Sequence, residues 1–153
     1  MQYNFLTKSI GKTFFFLSIA SFVVAFDQFL KYKIRQDDGF FLCNRGISFG
    51  IQPPDIVFWL TIGLFSFVVL YCCVFLYKKR SVLRFSVSVL LGLALFTGGV
   101  LSNLLDRFLV GCVLDYIPFF KPFPVFNLAD VSIFLGSCFI LFFLLSKNRF
   151  YSE

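Results

Sequence analysis

The sequence predicts an all-α membrane protein of four transmembrane helices. Both ends lie on the cytoplasmic side, and a small β-containing extracytoplasmic segment lies between the first and second helices. Three observations carry that reading. Of 153 residues, 59% are hydrophobic and 14% charged, with a mean hydropathy of +0.88, more apolar than a soluble domain of this length can hide in one core. Uncharged apolar runs recur at the length a bilayer requires, and the basic residues segregate to one side of those runs. The length allows one domain, 1–153, with spans near 10–31, 55–77, 82–106 and 127–146.

The first run, Phe14 to Phe26, is 13 residues long and reaches spanning length by continuing through Asp27, Phe29 and Leu30. Lys8 and Lys12 precede it, as in an export signal, but no small-x-small cleavage pattern follows, so a retained span is expected. Residues 39–50, "GFFLCNRGISFG", hold three glycines and no helical period, and read as short strands and turns on the outer surface. Pro53-Pro54-Asp55 reads as a helix start, with Asp55 at the positive end of the helix dipole. The second run, Ile56 to Tyr77, has 22 uncharged residues. A tight basic turn, Lys78 to Arg84, follows, with Ser81 as a candidate N-cap. The third run, Phe85 to Leu105, has 21 residues. "IPFFKPFP" cannot be helical, because its prolines remove donors and fix φ, so this apolar loop belongs in the membrane interface. The fourth run, Val131 to Ser146, spans if its helix begins near Asn127.

With the N-terminus inside, Lys8, Lys12, Lys78, Lys79, Arg80, Arg84, Lys147 and Arg149 face the cytoplasm against Glu153 alone. Six cations and all seven aspartates lie on the other side. The chain's net charge of +6 therefore reflects topology and anionic lipid, and no nucleic-acid partner is expected. The absence of histidine removes Ser-His-Asp and Cys-His nucleophiles and HExxH zinc sites. None of the five cysteines forms a C-x-x-C pair. Cys72 and Cys73 read as packing residues, while Cys43 and Cys112 fall in outer polar segments, where a disulfide between them stays open.

The polar residues gather at the outer edge. Asp27 and Lys31 share a helix face and read as an ordering ion pair near the end of the first helix. "SNLLDR" sets Asn103 and Arg107 on one face with Asp106 beside them, and "FNLAD" sets Asn127 and Asp130 three apart at the start of the fourth span. Each has an ordinary explanation: a snorkelling arginine, an acid in a first helical turn, or Asp115 paired with Arg107 or Lys121. Their convergence from three helices and a loop is harder to dismiss, because ionisable groups at a membrane are costly. Two carboxyls held close in a site of low polarity share a proton. One then takes a proton from water while the other donates to a scissile carbonyl, and amide hydrolysis needs neither metal nor histidine. The candidates are Asp115 and Asp130.

"FDQFLK", "NRGISFG", "GGVLSNLLDRFLVGCVLDYI" and "FNLADVSI", in this order and spacing, resemble the signature segments of the lipoprotein signal peptidases (signal peptidase II) along essentially the whole chain. The resemblance implies an aspartic endopeptidase of the bacterial cytoplasmic (inner) membrane that cuts diacylglyceryl-modified prolipoproteins just before the lipidated cysteine. It implies a catalytic pair at Asp115 and Asp130, substrate contacts at Asn44, Gly46, Asn103, Arg107 and Asn127, and a close approach of the substrate backbone at Gly99. Asp27, Lys31 and Asp106 become structural support. The expected partners are prolipoproteins, membrane lipids and the inhibitor globomycin, with no cofactor or metal and a monomeric state. Departures from the usual pattern fall at Leu30, Ile47-Ser48, Ser102 and Tyr116, around the expected pocket. Two other classes fit the composition less well: a small proton-coupled transporter, which needs a mid-membrane carboxylate, and a non-catalytic scaffold, which leaves the Asn-Asp segments unexplained.

Overall fold

The structure, a computed structural model, describes residues 2–46, 87–120 and 124–149. The expected second span, the Pro53-Pro54-Asp55 start, the Ser81 cap, Ile47-Ser48 and Lys121 lie outside the described residues. Three helices and two strands are described: α1 (Gln2–Gln36), β1 (Leu42–Asn44), α2 (Val87–Val110), β2 (Val113–Asp115) and α3 (Leu128–Arg149). Ile10–Gln36 and Val87–Val110 are long and apolar enough to cross a membrane, and Leu128–Phe143 is a shorter apolar helical stretch.

The middle helix organises the rest. α2 packs against both α1 and α3, which touch each other far less. Its glycines set how closely. A Cβ on Gly98 would stand 2.8 Å from the Ala20 carbonyl oxygen of α1, and one on Gly92 would stand 2.9 Å from Phe139 Cβ of α3. Gly136 of α3 is equally tight against α2: a Cβ there would stand 2.6 Å from the Gly92 carbonyl oxygen. Small residues at such contacts let helix backbones approach where no water is expelled to drive association.

On α1 the buried stripe is Ala20, Val23, Asp27 and Lys31, the i, i+3, i+4 spacing of one helical face. It is apolar at first and ionic towards the C-terminal end. The opposite faces expose Phe14, Leu17, Phe22 and Phe26 from α1 and Phe134 and Phe142 from α3, an apolar exterior suited to lipid. The Asp27–Lys31 pair, expected near a helix end, sits inside α1, which continues to Gln36. The helix then closes with Asp38 in the left-handed region (φ 49°) and Gly39 N–H donating to the Ile34 carbonyl (2.9 Å).

α2 ends at Gly111, whose φ of +80° and bond from its N–H to the Arg107 carbonyl (3.2 Å) make a left-handed cap. That reversal turns the chain directly into β2. β1 and β2 pair antiparallel, with Leu42 opposite Asp115, Cys43 opposite Leu114 and Asn44 opposite Val113. A disulfide joins Cys43 to Cys112 with 5.5 Å between their Cα atoms, resolving the pairing the sequence left open. Beyond β2 the described parts of the Pro/Phe loop, residues 116–120 and 124–126, are non-helical as expected. The chain folds back through a bridge between Ile117 and Phe126, with the Phe119 ring tilted against Phe120 and edge-on to Phe126.

Candidate active site

Two polar layers stack where α1, α2, β2 and α3 meet. The first is ionic and fully buried. Lys31 Nζ lies 2.7 Å from Asp27 Oδ2, 2.7 Å from Asp106 Oδ2 and 3.1 Å from Asn103 Oδ1, which uses all three of its donors. Asp27 also accepts from Ser102 Oγ (2.6 Å) and from Ala129 N–H (3.1 Å). Asp106 accepts from Gln28 Nε2 (2.8 Å) and from Leu114 N–H of β2 (3.1 Å). Gln28, beside Asp27, is a polar partner outside the expected set, and Ser102, expected only as a departure around the pocket, is a second. A buried ion pair is costly unless its remaining lone pairs are met, and here neighbouring elements meet them.

The second layer holds Asp115 at the end of β2 and Asp130 in the first turn of α3. Asn127 ties them together. Its side-chain amide donates to Asp115 Oδ1 (2.7 Å), and its backbone N–H donates to Asp130 Oδ2 (3.2 Å). In return Asn127 Oδ1 accepts from Asp130 N–H (2.9 Å), an Asn-x-x-Asp capping box. The four N–H groups that begin α3, those of Asn127, Leu128, Ala129 and Asp130, thus all find side-chain acceptors: Asp130, Tyr116 Oη (3.3 Å), Asp27 and Asn127. Two side chains from outside the helix and its cap, Tyr116 and Asp27, thus help to fix the turn that carries Asp130.

Asparagine orientation follows from obligate donors. Asn127 Oδ1 receives a backbone N–H, so its NH2 must face Asp115. Asn44 Oδ1 accepts from Gly46 N–H (2.9 Å), which turns its NH2 towards Asp115 Oδ2 (3.0 Å). Asn103 Oδ1 is held by Lys31, so its NH2 reaches Asp130 Oδ1 (2.8 Å). Each acid is therefore gripped by amide N–H groups that carry no formal charge. Burial raises the Asp115 carboxyl above the usual carboxylate range and the nearby Asp130 adds to this, while the bonds from Asn44 and Asn127 and the charge of Lys31 pull the other way.

Of the residues expected around the acids, Asn44, Asn103 and Asn127 contact them directly. Arg107 Nη2 donates to the Gly46 carbonyl (2.9 Å), holding the segment just beyond β1. Gly99 differs from expectation. The space over its Cα is filled by the Ala129 carbonyl and by Ile133, 2.8 Å from a hypothetical Cβ, so the backbone that approaches it is α3, one residue before Asp130. Tyr116 and the Cys43–Cys112 bridge join the site from outside the expected set. Adjacency in sequence to Asp115 and Asn44 was the available signal.

The family model for signal peptidase (SPase) II matches residues 19–146, which contain every contact described above. The lipoprotein signal peptidase of Halothermothrix orenii is 37% identical over 108 residues, covering 69% of this chain and 68% of that protein. That of Moorella thermoacetica is 34% identical over 137 residues, covering 79% and 86%. A bacterial membrane enzyme solved by the in meso method superposes with a TM-score of 0.71 at 29% identity, over 87% of this chain and 88% of its own. With matching sequence, matching fold and apolar helices of spanning length, this membrane protein belongs to the signal peptidase II family of peptidases.

Proposed function

We propose that the protein removes the signal peptide from diacylglyceryl-modified prolipoproteins, cutting before the lipidated cysteine, and that Asp115 and Asp130 are its catalytic pair. The observation that carries the reading is the pair of hydrogen bonds that Asn127 donates to the two acids, from its side chain to Asp115 and from its backbone to Asp130. Two carboxyls within reach of one residue, in a site that disfavours charge, hold one proton between them. In the forward step the ionised carboxyl takes a proton from water as the water oxygen bonds to the scissile carbonyl carbon. The protonated carboxyl gives its proton to the carbonyl oxygen, leaving a neutral gem-diol. Collapse transfers a proton to the amide nitrogen, breaks the C–N bond and returns one proton to the pair.

Four spans with both ends cytoplasmic put this chemistry at the outer face of the bacterial cytoplasmic membrane, where a lipid-anchored substrate presents its cleavage point. The exposed Phe119 and Phe120 on the loop between the acids suit acyl chains. Arg107, bonded to the Gly46 carbonyl, keeps the substrate-facing segment beside Asn44. The enzyme works as a monomer, and globomycin competes for the same groove.

The test is cleavage of a lipid-modified precursor by purified protein in detergent. Asp115→Asn and Asp130→Asn should stay folded and each lose at least about a thousandfold in kcat, as expected when a group required in the transition state is removed. Normal cutting by either variant would overturn the pair. Wild-type cutting that globomycin leaves untouched would overturn the shared groove.

A further inference from the structure

Besides Asn127, which bonds both acids, the residue that follows Asp115 makes contacts that bear on how the two acids are held. Asp115 ends β2, and Asp130 lies in the first turn of α3. Between them the chain runs out through Ile117 to Phe120 and back through Phe126. Tyr116 supplies a short circuit. Its N–H donates to the Phe126 carbonyl (3.1 Å), and Ile117 N–H shares the same acceptor (2.8 Å). Its hydroxyl accepts from Leu128 N–H (3.3 Å), two residues before Asp130, and donates to Asp27 Oδ1 (3.4 Å).

We infer that Tyr116 is a positioning residue whose hydroxyl sets the spacing of Asp115 and Asp130, by bracing the end of β2 against the first turn of α3 and the buried Asp27. The inference rests on the proposed catalytic pair and adds to it a residue that acts through geometry. The hydroxyl has one proton and needs it for Asp27, so Leu128 must be its donor, which fixes the direction of the whole bridge. Burial and the charge of Asp27 hold the phenol well above its ordinary range, so the bridge stays protonated wherever the enzyme works. The same Asp27 oxygen accepts from Ala129 N–H, so the brace and the helix cap meet on one atom. Phenylalanine fills the same volume without the oxygen. It leaves Leu128 N–H without this acceptor and frees the first turn of α3 to shift relative to β2.

The experiment is Tyr116→Phe in the full chain, compared with wild type and Asp115→Asn for kcat, KM, pH profile and thermal melting. Losing one bridging hydroxyl should lower kcat about three- to tenfold with KM within about twofold. The pH profile distinguishes positioning from mere stability. Two coupled carboxyls titrate further apart the closer they lie, so a relaxed spacing should narrow the bell, its alkaline limb moving towards lower pH. The assignment needs both the loss of kcat and the narrowing. An unchanged profile, an effect confined to KM, or a lowered melting temperature with wild-type kcat each overturns it. If Asp115→Asn still cuts, the catalytic pair itself has failed. If Asp115→Asn is dead and Tyr116→Phe is normal, only the role of Tyr116 has failed.

Discussion

Replacing Lys31 with methionine tests whether the ionic layer holds the site together. Methionine keeps an unbranched apolar stem and removes only the ammonium. Asp27 and Asp106, each 2.7 Å from Nζ and neither more than 1% exposed, would then face one another with no cation between them, and Asn103 Oδ1 would lose its donor. Removing one member of a buried pair costs about 3–5 kcal/mol, because a charge is stranded where water cannot reach it. For a chain of this size each kcal/mol moves the melting temperature by about 2–4 °C, so a fall of roughly 6–20 °C is expected in detergent micelles. Combining Lys31→Met with Asp27→Asn removes a charge of each sign and should recover a substantial part of that loss. Activity should fall in the single variant beyond the effect on folding, since an untethered Asn103 is free to turn its oxygen towards Asp130. If Lys31→Met melts within about 1 °C of wild type, the layer is not what supports the fold, and the account of Asn103 orientation fails with it.

Two further outcomes follow from the same contacts. The Cys43–Cys112 bridge closes a loop with a sequence separation of 69 residues, worth up to about 4 kcal/mol in a chain-entropy model, and it pins the strand that presents Asn44. Reduction, or the Cys43→Ser/Cys112→Ser pair, should therefore lower the melting temperature and raise KM, and identical melting and KM with and without reductant would refute this. Asn44→Ala removes a bond that holds the Asp115 carboxyl down against burial, so that carboxyl rises further and the pH–rate profile should shift towards higher pH. The stability consequence has the same origin. An acid whose folded-state pKa lies above its unfolded value binds the proton more tightly when folded, so stability falls as pH rises through that window, more steeply in Asn44→Ala. A shift of the profile to lower pH would contradict the assignment of Asn44.

The sequence made the helical class, the strand segment after the first helix and the group of acids and amides legible for separable reasons. Apolar runs report span length directly, and i, i+3 and i, i+4 spacing places Asp27 with Lys31 and Asn127 with Asp130 whatever the tertiary structure. What pairs across elements was not legible. No local pattern says that Cys43 meets Cys112, that Lys31 of α1 reaches Asp106 of α2, or that the Tyr116 hydroxyl serves α3, because such contacts depend on helix separation and on which face turns inward. Gly99 shows the limit most clearly. Its motif suggested room for substrate, whereas the Ala129 carbonyl occupies that room and the glycine serves helix packing. Asp27 contrasts with it: the sequence reads this acid as half of an ordering ion pair with Lys31, and its contacts with Lys31, Ser102 and Ala129 make it part of the scaffold that carries α3.

The placement of charge around the proposed pair has its own logic. A pair that works by sharing one proton fails if a neighbouring cation holds both acids ionised, and it fails equally if nothing orients them. Neutral amides meet both demands, because an Asn NH2 can only donate from that end and brings no formal charge. Their weakness is that an amide can rotate and offer its oxygen instead. In this protein each rotation is blocked by a donor at the other end: Gly46 N–H for Asn44, Asp130 N–H for Asn127 and the Lys31 ammonium for Asn103. The strongest local cation is thus used at one remove. It sets the direction of Asn103, and Asn103, not the ammonium, donates to Asp130. Arg107 donates to the Gly46 carbonyl, and its charge also acts on Asp130 and Asp115. Burial can then raise Asp115 even though the charge of Lys31 pulls the other way, because the ammonium itself is bonded to Asp27, Asp106 and Asn103.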